Sequence, residues 1–174
     1  MSPSVDQAKA LYELQQLEKA ITTALDLTCE ILPRSAAVPI DTLTVALELD
    51  RHERTRIASL MFIPLEDSDV EHIKLLQFYC ETPIHVEAHN LNTVLQLLGA
   101  ITLKIPLGAF SVNEEGIVVF KYVYALGKFK ATDPEEFLET YLMWMFALDS
   151  LSGLIEDVAT GEQNLAAALQ NLDE

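Results

Sequence analysis

The segment from Asp133 to Gly161 constrains this chain more than any other, because both of its ends carry helix signals. Asp133 can cap, Pro134 suits the first helical position, and Glu136 stands where a capping-box partner reaches back. The apolar pattern stops at Val158, and Gly161 can take the left-handed conformation that closes a helix. At 3.6 residues per turn, Phe137, Tyr141, Trp144, Met145, Leu148, Leu151, Ile155 and Val158 share one stripe, which predicts a helix lying on a sheet. Leu142, Met143, Phe146 and Leu154 put apolar side chains on other faces. A helix apolar nearly all round calls for cover nearly all round, from other helices of this chain or from a second subunit.

What precedes this segment reads as an α+β chain. Apolar residues at helical spacing from Ser4 to about Leu32 predict a first helix ended by Pro33, with Cys29 inside it. Arg34 to Asp41 reads as a loop. Leu43, Val45, Leu47 and Leu49 then alternate with polar or small residues, the period of a strand with one buried face. Asp50 to Glu53 makes a hairpin turn, Arg56 to Ile63 returns, and after an acidic loop with Glu66, Asp67, Ser68 and Asp69 a third strand runs from His72 to Glu81, broken by Pro83.

Asn90 is placed to cap a short second helix with Leu91, Val94, Leu95, Leu98 and Ile101 on one stripe, blocked by Pro106. Leu107 to Val112 and Ile117 to Leu126 form two further strands around the turn Asn113-Glu114-Glu115-Gly116. The second of these is apolar on both faces, Tyr122 and Tyr124 included, which suits a central position or a dimer seam. The expected order is helix, three antiparallel strands, helix, two strands, long helix. Residues 1–160 make one α+β domain, and 161–174 add a short acidic helical tail.

Twenty-seven acidic against 11 basic residues give a formal charge of −16, a field that repels nucleic acid and anionic membrane surfaces. The two cysteines are too few for a disulfide framework, the opening residues show no basic region followed by an apolar run, and no stretch of 18 apolar residues occurs. A cytoplasmic protein with reduced thiols is expected.

The element order, the acidic balance, the Leu43 to Leu49 strand, the Asn113 to Gly116 turn before Ile117 to Tyr124, and the Asp133-Pro134-Glu135-Glu136 helix start together resemble the type III secretion chaperone-like fold. Within that fold it resembles especially the YbjN-type proteins of unknown function. The resemblance covers Ser4 to about Val158 and implies a dimer that binds a partner polypeptide, as an adaptor or regulator. The tail after Gly161 departs from it.

Chemistry has little to stand on. No Gly-x-Ser-x-Gly elbow and no glycine-rich phosphate loop occurs, and neither cysteine has a histidine beside it in sequence, so neither an enzyme nor a cofactor is expected. His85, Glu87 and His89 have the ligand types of a metal site, but they straddle a strand-to-helix connection. They carry the alternative reading of a metal-dependent enzyme. A small-ligand sensor with a pocket under the long helix is a further alternative. Arg51, Arg54 and Arg56 form the one concentrated basic patch, able to meet an acidic partner or to pair with Asp50, Glu53 or Glu48 across the strands. For contacts with a protein partner or a second subunit the candidates are Leu142, Met143, Phe146, Tyr122, Tyr124, Arg51, Arg54 and Arg56.

Overall fold

Local hydrogen bonds set the long helix in its place in the sequence. In the computed structural model, which describes residues 5–36, 38–65 and 70–172, Asp133 Oδ1 accepts from the amides of Glu135 and Glu136 at 2.9 and 3.2 Å. Such a cap satisfies donors that a helix start otherwise leaves unpaired. At the other end Gly161 sits at φ +79°, a conformation that costs glycine little, and its amide closes on Val158 O at 3.2 Å. The helix between them is Pro134–Thr160.

The described elements run in the order α1 (Val5–Leu25), β1 (Cys29–Leu32), β2 (Thr42–Ala46), β3 (Ile57–Phe62), β4 (Ile73–His85), α2 (Leu91–Thr102), β5 (Ala109–Val112), β6 (Ile117–Gly127), α3 (Pro134–Thr160) and α4 (Leu165–Asn171). The six strands form one antiparallel sheet in the order β1-β2-β3-β4-β6-β5, so the fold class is α+β. By packing the chain divides into two units: Met1–Leu47, Ile57–Phe78 and Val123–Tyr141 make the first, and Glu48–Arg56, Tyr79–Tyr122 and Leu142–Glu174 the second.

In the first unit α1 buries Leu14, Leu17 and Ile21, and Leu43, Val45, Ala58 and Leu60 are buried on β2 and β3. Phe78 meets Phe137 and Tyr141 edge-on, with ring centroids 5.8 and 6.1 Å apart. Lys74 Nζ bonds the Glu13 carboxylate, which also accepts from the amide and hydroxyl of Thr132. In the second unit Phe110, Phe120 and Trp144 stack in series, 4.1 and then 5.4 Å between centroids. Val94, Leu97, Leu98 and Ile101 of α2 are buried, and α4 packs on α2, capped by Asn164 Oδ1 on the amide of Ala167 at 2.9 Å.

Three expectations need correction. The first helix ends at Leu25, not near Leu32: Asp26 turns left-handed at φ 54°, and Cys29–Leu32 becomes an edge strand whose residues pair with Thr42 to Val45. Apolar spacing over 26–32 fits either period, and the free edge of β2 decides it. The third strand does not stop before Pro83 but runs to His85. Backbone groups alternate sides along a strand, and Val86 donates to Gly116 O at 2.7 Å, so position 83 faces away from β6. A missing N–H costs no ladder bond there, and Pro83 O accepts from Arg54 Nη1 at 3.0 Å. The third correction concerns Asn90, which precedes α2 as expected but makes no side-chain cap, its Nδ2 donating to Ala159 O at 2.9 Å. Ser4, Glu66, Asp67, Ser68, Asp69, Asp173 and Glu174, which entered the expectations above, lie outside the described residues.

Candidate functional site

The basic patch folds into a built hairpin in the second unit. Asp50 Oδ1 accepts from the amides of His52 and Arg54, each at 2.9 Å, and Glu53 takes the left-handed conformation at φ 59°. Aspartate favours such a turn because its short carboxylate can replace a backbone acceptor. Burial pushes the Asp50 carboxyl up, but the amide and guanidinium donors outweigh it and hold it below the ordinary carboxylate value.

The turn presents its arginines to α3. Arg51 reaches Glu156 through Nε at 3.1 Å and Asp157 through Nη2 at 2.5 Å, and these bonds, Asp157 first, raise its pKa further. Arg54 bonds Asp50 and Glu156, both at 2.7 Å, and His52 Nε2 lies 3.2 Å from the same Glu156 carboxylate. Arg56, only 5% exposed, gives Nε and Nη2 to Glu48 O and Nη1 to Asp149 at 2.6 Å. Glu156, 8% exposed, is thus the hub of the cluster. Room for it comes from Gly153, where an added Cβ would stand 3.3 Å from Arg51 Nη1.

Between hairpin, strand end and helix lies a cleft of about 310 Å³, lined by Leu49, Arg56, Thr82, Ile84, Asp149 and Ser152 among others. Its charges compensate one another: each guanidinium already holds a carboxylate. The arginines therefore fasten the hairpin to α3 and do not form a free cationic surface.

The sequence placed the arginines in a hairpin with Asp50, Glu53 or Glu48 as partners: the structure repeats Asp50, Glu48 accepts only through its backbone, and Glu53 sits in the turn at φ 59° with no arginine paired to it among the described residues. Their partners on α3, Asp149, Glu156 and Asp157, were missed. A signal existed, since Asp149, Gly153 and Glu156 interrupt the apolar helix at steps of four and three and share one face.

One to two turns earlier on that same face the helix is bare. Leu142, Met143 and Phe146 are 48, 47 and 74% exposed, whereas Tyr141, Trp144 and Leu148 are at 0%. About half of Leu142 and Met143 and most of Phe146 thus stay open to solvent. Met145, expected in the core, is half-buried. Tyr122 and Tyr124 are half-buried on β6, which lies between β4 and β5, so both of its ladder sides are taken.

His85, Glu87 and His89 are exposed at the end of β4 and the turn after it, and among the described residues no three His, Cys, Asp or Glu side chains are grouped to hold a metal ion. Cys80 is fully buried, and burial foremost pushes its thiol up to about 12, so it stays protonated and inert. Burial and the hydrogen bond to Glu81 likewise raise Tyr79 to about 12. Among the described residues no helix is long and apolar enough to cross a membrane. No protein-family model matches the chain, and no curated protein matches it either.

Proposed function

We propose that this chain is a non-enzymatic protein-binding domain, a chaperone-like adaptor or regulator that acts as a dimer in the cytoplasm, in the manner its resemblance to YbjN-type proteins implies. The observation that carries the reading is the open face of α3 at Leu142, Met143 and Phe146, one to two turns before Asp149, Gly153 and Glu156, which the arginine hairpin covers. Clustered exposed apolar residues of this kind mark surfaces that another protein covers, and Met and Phe adapt to varied contacts. Light scattering at micromolar concentration and crosslinked affinity purification from the native cells test it, with a Phe146→Asp, Met143→Asp double variant as control. A dimer in solution and a partner enriched by the native chain but not by the double variant are expected. A lone monomer that enriches nothing overturns the reading.

The cleft beside α3 favours a second reading, a small-ligand sensor, because its volume stands at the low end of the roughly 300–1,000 Å³ of ligand pockets. A metabolite that raises the melting temperature, and loses its effect in Gly153→Leu, would support it; no shift across a metabolite panel removes it.

A further inference from the structure

Charge, with no apolar anchor, joins the tip of the arginine hairpin to α3. Of residues 48–55 only Leu49 is apolar, and it is 56% exposed, so docking buries no apolar side chain of the tip. Arg51 meets Glu156 and Asp157, Arg54 meets Glu156, His52 stands beside the same carboxylate, and Arg54 Nη1 adds one bond to Pro83 O. At the root of the hairpin the buried Arg56 holds Glu48 O and Asp149.

The tip keeps its shape by bonds of its own. Asp50 N donates to Arg54 O at 3.1 Å and Glu53 N to Asp50 O at 3.0 Å, while the Asp50 carboxylate accepts from two tip amides and from Arg54 Nε at 2.7 Å. All of these lie within residues 50–54, so they survive separation from α3. Arg54 keeps Asp50 when it gives up Glu156.

Docking exchanges the water around Glu156, Arg51 and Arg54 for ion pairs, and that lost hydration offsets much of the attraction. No apolar burial adds to the balance. What remains is electrostatic and modest, since ion pairs with arginines 34–39% exposed contribute about two- to fivefold each to an equilibrium. Salt acts on such a balance directly, because the screening length falls from about 30 Å at 0.01 M to about 3 Å at 1 M. Arg56 is screened least: its side chain is 4% exposed, and two of its bonds go to a carbonyl of its own hairpin.

We infer that residues 49–55 form an ionic latch, whose tip lies on α3 at low ionic strength and swings away, still folded, as ionic strength rises, with Arg56 as the pivot. Asp50, Arg51 and Arg54 line the cleft of about 310 Å³ beside α3, so release removes one of its walls and ionic strength sets how open it stands. The latch depends on neither of the two readings above.

The test measures the distance from the tip to α2 in the full chain by pulsed electron paramagnetic resonance. Spin labels go on Thr55→Cys and Gln96→Cys, two exposed positions of the second unit, in a Cys29→Ser chain whose remaining Cys80 is buried. A single distance is expected at about 0.01 M sodium chloride, and a second, longer one whose share grows at least about fivefold by 1 M. Trp144 fluorescence stays constant over that range, because the core remains folded. Glu156→Gln takes a partner from both arginines and raises the share of the longer distance at least about fivefold at low salt; Asp157→Asn, which touches Arg51 alone, raises it less. One unchanged distance at every salt concentration and in both variants shows a rigid hairpin and overturns the latch. A longer distance that ignores salt shows a tip loosened by something other than its ion pairs and overturns it too. So does a longer distance that appears only where Trp144 fluorescence changes, because the hairpin then leaves with the fold.

Discussion

Replacing Glu156 by glutamine isolates the hub of the arginine cluster. The side chain keeps its shape, but its charge goes and one of its two terminal atoms becomes a donor that faces a guanidinium. Arg51 still holds Asp157 and Arg54 still holds Asp50, so neither cation is orphaned, and the cost stays below the roughly 3–5 kcal/mol of breaking a fully buried pair. What is lost is about one hydrogen bond to a charged group, about 1.5–3 kcal/mol when buried. The arginines are 34–39% exposed, which screens part of that, so we expect about 2 kcal/mol. For a chain of this length that lowers the melting temperature by about 4–8 °C. Asp157→Asn removes a more exposed partner and is expected to cost under about 1 kcal/mol. Trp144, the one tryptophan of the chain and fully buried in the same unit, reports urea unfolding by fluorescence. A double-mutant cycle of Glu156→Gln with Arg54→Gln should show coupling of about 1 kcal/mol or more. The reasoning is refuted if Glu156→Gln costs no more than Asp157→Asn, or if the cycle closes without coupling.

Two further outcomes follow from the same unit and its neighbour. Gly153→Ala should leave stability unchanged or raise it by up to about 1 kcal/mol, because alanine is the better helix former and the flexible end of Arg51 can give the few tenths of an ångström its methyl needs; a fall in the urea midpoint would show the hairpin to be rigidly packed there. In acid, Asp41 and Asp50 both have depressed folded values, since the Arg34 donors outweigh the burial of Asp41 as Arg54 and the turn amides outweigh that of Asp50. The stability they contribute is therefore complete above the unfolded carboxyl value of about 3.9 and is lost as pH falls through the lower folded values. The melting temperature should drop below about pH 4, and Asp50→Asn, less stable at pH 7, should lose less over that interval; an equal loss in both proteins would mean that other carboxylates govern acid unfolding.

The features that could be read along the chain are those made by residues two to five positions apart. Asp133 caps α3 through amides two and three residues on, Asn113 Oδ1 holds its turn by bonding the amides of Glu115 and Ile117, and Asp50 ties its own hairpin. Such bonds depend on local backbone and one short side chain, so they are legible wherever the residues stand in order. Alternating apolar residues likewise placed β2, the short polar turn after it placed β3 as the return strand, and helical spacing placed α2 and α3, because period and burial are two views of one geometry.

What only the tertiary structure decided lies farther apart. Cys29–Leu32 became a strand because the edge of β2 was open to it, and Pro83 stayed inside β4 because its side of the strand needed no donor. Arg51 and Arg56 found their carboxylates 93 to 106 residues away, beyond the reach of any spacing rule. The face at Leu142, Met143 and Phe146 was apolar in the sequence, but its exposure depended on where the hairpin came to rest. The arginines closed over Asp149, Gly153 and Glu156, where their carboxylate partners stood, and left the apolar turns before them open to solvent.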